Sequence, residues 1–289
     1  MLTEKLSDYF KLMRLHKPIG IFLLLWPTLW ALWLAAGGVP PLKVLLVFVV
    51  GTVLMRSAGC AINDYADRDF DPHVARTKDR PVASGRVKPE EAVRLFVAVS
   101  LIAFGLLTTL RNEATILLAI PGALLAGSYP FMKRWIVIPQ AYLGIAFSWG
   151  IPMTYAALRT AIPWGEVLLL MAANLCWVIA YDTQYAMADR DDDLRVGVKS
   201  SAIFFGRFDR LNIAILHGVS LLLLAELGRL TNCGMPFFVS LVVAAGIAVY
   251  QQWLIRNRDP QQCFRAFLNN NYFGAAIFLG LLLDTVSRS

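Results

Sequence analysis

Two stretches of this chain concentrate carboxylates in a pattern that serves metal-assisted chemistry. One reads Asn63-Asp64-Tyr65-Ala66-Asp67-Arg68-Asp69-Phe70-Asp71. The other reads Tyr181-Asp182-Thr183-Gln184-Tyr185-Ala186-Met187-Ala188-Asp189-Arg190-Asp191-Asp192-Asp193. On a continuous helix Asn63, Asp67 and Asp71 share one face, about 6 Å apart in level. Asp182, Asp189 and Asp193 share a face in the same way. Carboxylates stacked at this spacing repel one another, so solvated helix ends, the plain alternative, account poorly for two such runs. Oxygen ligands of this kind suit Mg²⁺, which is held by one or two carboxylates together with substrate phosphate. Asp67, Asp71, Asp189 and Asp193 are therefore the candidate metal ligands. Asn63 and Asp182 stand beside them.

Four carboxylates and a diphosphate carry more negative charge than two Mg²⁺ ions neutralise. The basic residues Arg76, Lys78, Arg134 and Lys199 would offset the remainder. Lys133 and Arg134 have an equally simple alternative, the general excess of basic residues in cytoplasmic loops. Arg56 lies seven residues before Asn63, two turns deeper on the same face. An arginine at that depth needs a partner: either one of the acidic residues, or the carboxylate of a small aromatic substrate, which its planar fork matches.

The elements that must hold these residues are membrane helices. Of the 289 residues 57% are apolar and 16% charged, against about 45–50% and about 25% in soluble domains. That excludes a disordered chain, a disulfide scaffold and most soluble enzymes. Nine apolar stretches predict transmembrane helices: 19–36, 44–62, 93–110, 114–131, 139–158, 164–185, 211–228, 235–255 and 267–284. Of the 27 Lys and Arg, 21 fall on the side of the N-terminus, five on the other, and Arg56 within a span. This asymmetry predicts a cytoplasmic N-terminus, an external C-terminus and two cytoplasmic loops, 63–92 and 186–210. It also explains the net charge of +7 without any nucleic-acid partner.

The acidic strings close spans two and six, four spans apart, so both helices run in one direction. The predicted fold is all-α and polytopic: a single domain over 1–289, with nine transmembrane helices. These form two four-helix pseudo-repeats plus one helix. Residues 1–17 read as an interfacial amphipathic helix rather than a cleavable signal. Cys60, Cys176, Cys233 and Cys263 lack metal-site spacing and read as core residues. His16, His73 and His217 read as structural or surface residues. Trp26, Trp30, Trp135, Trp149, Trp164 and Trp253 read as an interfacial belt.

Asn63-x-x-x-Asp67-x-x-x-Asp71 and Asp189-x-x-x-Asp193 resemble the paired signatures of the UbiA superfamily of intramembrane prenyltransferases. The full strings 63–71 and 181–193 resemble the branch that prenylates 4-hydroxybenzoate. So do Arg14-Leu-His-Lys-Pro-Ile-Gly20, Arg76-Thr-Lys-Asp-Arg-Pro81, Tyr129-Pro-Phe-Met-Lys-Arg134 and Gly197-Val-Lys-Ser200. The resemblance runs along the whole chain. It implies a nine-helix bundle in the bacterial inner membrane, around a central cavity open to the cytoplasm and sideways to lipid. Asp67, Asp71, Asp189 and Asp193, with Asn63, would bind Mg²⁺ and the diphosphate of a polyprenyl donor. Arg134 and Lys199 would contact that diphosphate, and Arg56 would sit by the aromatic acceptor. The implied reaction is transfer of the polyprenyl group to the ring carbon ortho to the hydroxyl, an early step of ubiquinone biosynthesis. Asp182 or Asp189 is the candidate proton acceptor.

Two other readings stay open on sequence. One is a superfamily member with a different acceptor, such as a naphthoate, homogentisate or a tetrapyrrole. The other is a divalent-cation transporter with the acidic faces as its ion path, although transport favours carboxylates near the bilayer midplane.

Overall fold

A computed structural model describes residues 2–74, 76–132 and 134–288, the side chains of Leu2 and Thr3 excepted. Lys133, counted above among the cytoplasmic basic residues, lies outside the described residues. Those residues contain helices and no strand. In chain order the helices are α1 Leu2–Leu12, α2 Ile19–Ala36, α3 Leu42–Ala66, α4 Pro89–Thr108, α5 Glu113–Met132, α6 Pro139–Ser148, α7 Gly150–Leu158, α8 Trp164–Val196, α9 Ser201–Phe205, α10 Asp209–Leu230, α11 Met235–Leu254 and α12 Pro260–Arg288.

Eight helical segments, built on α2, α3, α4, α5, α8, α10, α11 and α12, are long and apolar enough to cross a membrane. The remaining predicted span, 139–158, is two short helices, α6 and α7, that meet at Trp149. Pro152 explains the break: it has no N–H to return to the Ser148 carbonyl, so the helical ladder is interrupted there. The chain is a polytopic membrane protein. Its outer helices present exposed Leu101, Leu117, Leu124, Leu222 and Val242, an apolar surface suited to lipid rather than water.

Burial separates the core helices from the rim. In the most apolar window of α2, 61% of residues are buried, against 11% in α5. The α2 helix is joined to α12 by aromatic side chains. The Trp30 indole donates to the Gly274 carbonyl at 3.1 Å and Trp26 donates to Asn271 at 2.9 Å. Gly274 is required at this contact, since a Cβ there would overlap the Trp26 ring. Trp177 of α8 stacks on Phe273 with centroids 5.4 Å apart and donates to Asn270 at 2.9 Å. The belt expected of the tryptophans therefore applies only in part. Trp135, Trp164 and Trp253 are exposed, whereas Trp30 is fully buried and Trp149 donates to the Leu118 carbonyl inside the bundle.

The two loop boundaries also shift. The α3 helix ends at Ala66, with Asp67 as its C-cap, so the first loop starts there. The α8 helix continues for 33 residues to Val196 and stops at Gly197, whose φ is 72°. Left-handed backbone of this kind favours glycine. At 1.5 Å per residue α8 is about 50 Å long, well beyond a hydrocarbon core of about 30 Å. Its last turns, with Asp189 and Asp193, therefore project from the membrane core. The loop expected over 186–210 begins only at 197 and is itself partly helical.

The α1 helix lies against the same end of the bundle. Leu12 is buried with Ala61, Val82, Val87 and Ala92, while Leu6 and Phe10 stay exposed. Beyond it Arg14 adopts a left-handed φ of 56° and donates to Asp64 at 2.7 Å.

Candidate active site

The two acidic strings meet on one cavity of about 450 Å³. The end of α3 supplies Asn63, Asp64 and Asp67, and the turn after it supplies Asp71. The α8 helix supplies Asp182, Asp189 and Asp193 from one face, as an unbroken helix requires. In the first string the predicted helical spacing holds only as far as Asp67. There Asn63 donates to the Asp67 carboxylate at 3.0 Å. Asp71 opens a short 3-10 turn, but its N–H still reaches the Asp67 carbonyl at 2.8 Å, so it stays beside the others.

Arginines organise these carboxylates. Arg80 donates to both Asp71 oxygens at 2.8 and 3.0 Å and lies 3.7 Å from Asp64 and 4.0 Å from Asp67. Burial alone would pull the Arg80 pKa down, but the Asp64 and Asp71 carboxylates outweigh it and hold it above the ordinary arginine value. Asp64 is 1% exposed and also takes the bond from Arg14. Arg76 forms an ion pair with Asp189 across the cavity. Its guanidinium lies 4.2 Å from the Tyr185 ring centroid and 5.0 Å from that of Phe264. Arg14, Asp64 and Arg80 went unassigned on sequence. Each lies within or beside a quoted string, but its role depends on a partner far along the chain.

Not every predicted basic residue faces this space. Lys199 lines it and donates to the Trp135 carbonyl at 3.4 Å. Lys78 does not. Thr77 turns inward to bond the Asp71 carbonyl at 2.9 Å, whereas its neighbour Lys78 is exposed and outside the lining. Arg134 is also outside the lining. It donates to the Ala66 carbonyl at 2.8 Å and sits over the Phe70 ring at 5.3 Å, so it caps α3 just before Asp67. Of the histidines, His16 lies at the cavity rim, His73 is exposed and His217 is buried.

Beneath the polar chamber is an apolar one of about 220 Å³, bounded by α2 to α7 and lined by residues such as Val47, Phe48, Leu107 and Met153. Arg56, Asn63, Tyr129, Leu143 and Phe147 line both chambers and form their junction. Arg56 makes no ion pair among the described residues. Its Nε is buried without a hydrogen-bond partner, and its guanidinium lies 5.9 Å from the Phe147 centroid. Gly20 gives it room, because a Cβ there would overlap the guanidinium.

Among the described residues no three acidic, histidine or cysteine side chains form a preformed metal cage. The donor set is nevertheless one that Mg²⁺ accepts: oxygen only, from two facing groups of carboxylates, with room between them for phosphate oxygens. Arg76 and Arg80 hold cationic charge against the same carboxylates.

The comparisons with known proteins agree with this architecture. The UbiA prenyltransferase family model matches residues 24–279. The 4-hydroxybenzoate octaprenyltransferase of Thiobacillus denitrificans is 58% identical over 288 residues, covering 100% of this chain and 98% of the relative. The enzyme of that name from Nitrosospira multiformis is 56% identical, covering 100% and 99%. Among solved structures, an apo UbiA homologue from Aeropyrum pernix superposes with a TM-score of 0.79 at 27% identity, over 92% of this chain and 97% of that one. A homologue from Archaeoglobus fulgidus, solved with GPP and Mg²⁺, shares the fold with a TM-score of 0.72 at 16% identity, over 97% and 99%. Both acidic helix ends fall inside the region that the family model matches, and the chain belongs to the UbiA prenyltransferase family.

Proposed function

We propose that this enzyme transfers a polyprenyl group from polyprenyl diphosphate to 4-hydroxybenzoate, at the ring carbon ortho to the hydroxyl. Diphosphate is released, and the product is an early intermediate of ubiquinone biosynthesis. One observation carries the reading: two acidic helix ends converge on a polar chamber that continues past a single arginine into an apolar one. The layout matches a donor with a charged head and a greasy tail, and an acceptor small enough to lie at the junction. The full-length relatives named for this reaction supply the acceptor's identity.

Asp67, Asp71, Asp189 and Asp193, with Asn63, are the residues that would hold Mg²⁺ and the donor's diphosphate. Bound Mg²⁺ supplies charge neutralisation of the leaving diphosphate. Arg76 and Lys199, two of the basic residues that line the chamber, add charge-assisted hydrogen bonds to that group. The carbon–oxygen bond of the allylic donor breaks, and its electron pair leaves with the diphosphate. Aromatic faces at the cavity, Tyr129, Phe147 and Tyr185 among them, stabilise the positive charge left on the prenyl carbon. The acceptor's ortho carbon forms the new carbon–carbon bond, and the ring then loses its proton. Asp182, which lines the chamber two turns deeper than Asp189, or Asp189 itself takes that proton. Arg56 holds the acceptor's carboxylate, and the apolar chamber receives the start of the prenyl tail.

The charge asymmetry of the loops supports an inner-membrane orientation with the N-terminus and this chamber at the cytoplasm and the C-terminus opposite. The cation-transport reading is disfavoured by the apolar chamber below the carboxylates, which gives an ion no polar path onward. The deciding assay supplies radiolabelled polyprenyl diphosphate and 4-hydroxybenzoate to the purified protein, with and without EDTA. The expected result is label on the ring, abolished by EDTA and restored by Mg²⁺. Transfer to a naphthoate instead, or cation flux without a donor, would overturn the reading.

A further inference from the structure

Tyr181 is 1% exposed, and its hydroxyl is buried without a hydrogen-bond partner. An unpaired hydroxyl in such a place lowers stability unless something else pairs with it. The ring has little freedom to turn away. Trp177 meets it edge-on with centroids 5.3 Å apart, and Phe267 packs at 6.1 Å. Both Tyr181 and Arg56 line the polar chamber, and Tyr181 lies within electrostatic reach of Arg56, Asp182 and Tyr129.

Depth relates the two residues. Arg56 is seven residues before Asn63 on α3, and Tyr181 eight before Asp189 on α8. These separations put them about 10 and about 12 Å below their acidic helix ends. Two parallel helices thus present, at similar depth, two buried groups with unmet hydrogen-bonding capacity: the Arg56 Nε–H and the Tyr181 O–H. Both can donate, and the guanidinium has no ion-pair partner among the described residues. The ligand that best serves both is therefore an anion; a carboxylate has two oxygens to share between them.

We infer that Tyr181 and Arg56 together bind the carboxylate of the aromatic acceptor, with Tyr181 fixing how deeply the ring sits. The inference deepens the function proposed above and rests on it. Tyr181 becomes a binding and specificity residue. Its hydroxyl stays unpaired in the free enzyme and is satisfied only by the acceptor.

The test is Tyr181→Phe in the full-length protein, which removes one oxygen and keeps the ring. Binding of 4-hydroxybenzoate is measured calorimetrically without donor, followed by kcat and KM for both substrates and inhibition by benzoate and by phenol. The Kd and KM for 4-hydroxybenzoate should rise about ten-fold, the typical effect of losing one hydrogen bond to a charged group. The donor KM and kcat should stay within about two-fold. Benzoate inhibition should weaken in parallel while phenol inhibition does not. The ligand-free variant should melt no lower than the wild type, because the lost hydroxyl has no protein partner. A lower melting temperature, an unchanged Kd for 4-hydroxybenzoate or a donor KM that rises alongside would each overturn the assignment. Failure of the wild-type chain to bind 4-hydroxybenzoate would instead overturn the proposed function, and this inference with it.

Discussion

Arg76, on the segment that follows α3, forms an ion pair with Asp189 near the end of α8, joining the two acidic strings across the cavity. The cation–π contacts of its guanidinium with Tyr185 and Phe264 hold the fork in place. In the free enzyme Arg76 thus lies where the donor's diphosphate is proposed to bind, and binding would exchange one anionic partner for another. Arg76→Ala should raise the KM for polyprenyl diphosphate about ten-fold or more and leave the KM for 4-hydroxybenzoate nearly unchanged. Arg76→Lys should recover only part of this, since an ammonium lacks the planar face that stacks. Initial rates over a donor titration decide it; an unchanged donor KM in the alanine variant removes Arg76 from the site.

Asp182 lines the chamber on the same face of α8 as Asp189, two turns deeper in the bundle. Replacing it by Asn keeps the shape and removes the basic oxygen. The expected outcome is a fall in kcat of about 100-fold, the lower range for a general base, with donor Kd within about three-fold. Normal turnover would mean that the proton leaves by another route.

The basic residues should separate by position. Lys78→Ala should change donor KM by less than about two-fold, because the side chain is exposed and outside the cavity lining. Lys199→Ala should raise it by about five- to ten-fold, as expected of a cation that reaches the diphosphate. Arg134→Ala removes a hydrogen bond to the α3 terminus and should cost about 1 kcal/mol of stability. The readouts are donor kinetics for all three and melting temperature in detergent for the last. A kinetic effect at Lys78 as large as at Lys199 would contradict this placement.

Away from the cavity, Asp209 is fully buried and takes bonds from Arg258 at 2.8 Å and Arg190 at 3.2 Å. The bond from Arg258 to this carboxylate also holds the Arg258 pKa above its usual value. The cluster ties the start of α10 to α8 and to the turn before α12. Asp209→Asn should destabilise the protein by about 2–3 kcal/mol. That is below the ~3–5 kcal/mol of a fully enclosed pair, because both arginines keep partial contact with water. The folded fraction should retain its activity. Thermal denaturation and activity per folded molecule test the two halves of this expectation.

The sequence reveals the helices and the pairing of the acidic strings, because apolar runs and carboxylate spacing are local properties. The different endings of α3 and α8 were harder to read. Both strings put negative charge at a helix C-terminus, where the helix dipole disfavours it. The α8 string offsets this with Arg190, anchored on Asp209, and runs on to Gly197. The α3 string is stabilised instead by Arg80 and Arg14, which reach it from other segments, and its helix yields at Asp67. Pro152 was a visible cause for the α6–α7 break, but a helix can also bend at proline and continue. The exposure of Lys78 and the capping role of Arg134 depend on tertiary contacts that spacing does not encode. So does the burial of Trp30.

The length of α8 has a further consequence. Its final turns lift the proposed diphosphate site clear of the hydrocarbon, and the apolar chamber proposed for the prenyl tail lies deeper. On the proposed reaction the two products would be sorted by phase at the moment they form: inorganic diphosphate would emerge on the aqueous side, and the enlarged quinone precursor would remain dissolved in lipid. Escape of one into water opposes reversal, and no separate extraction step is needed to hand the other to enzymes that work on membrane-embedded aromatics.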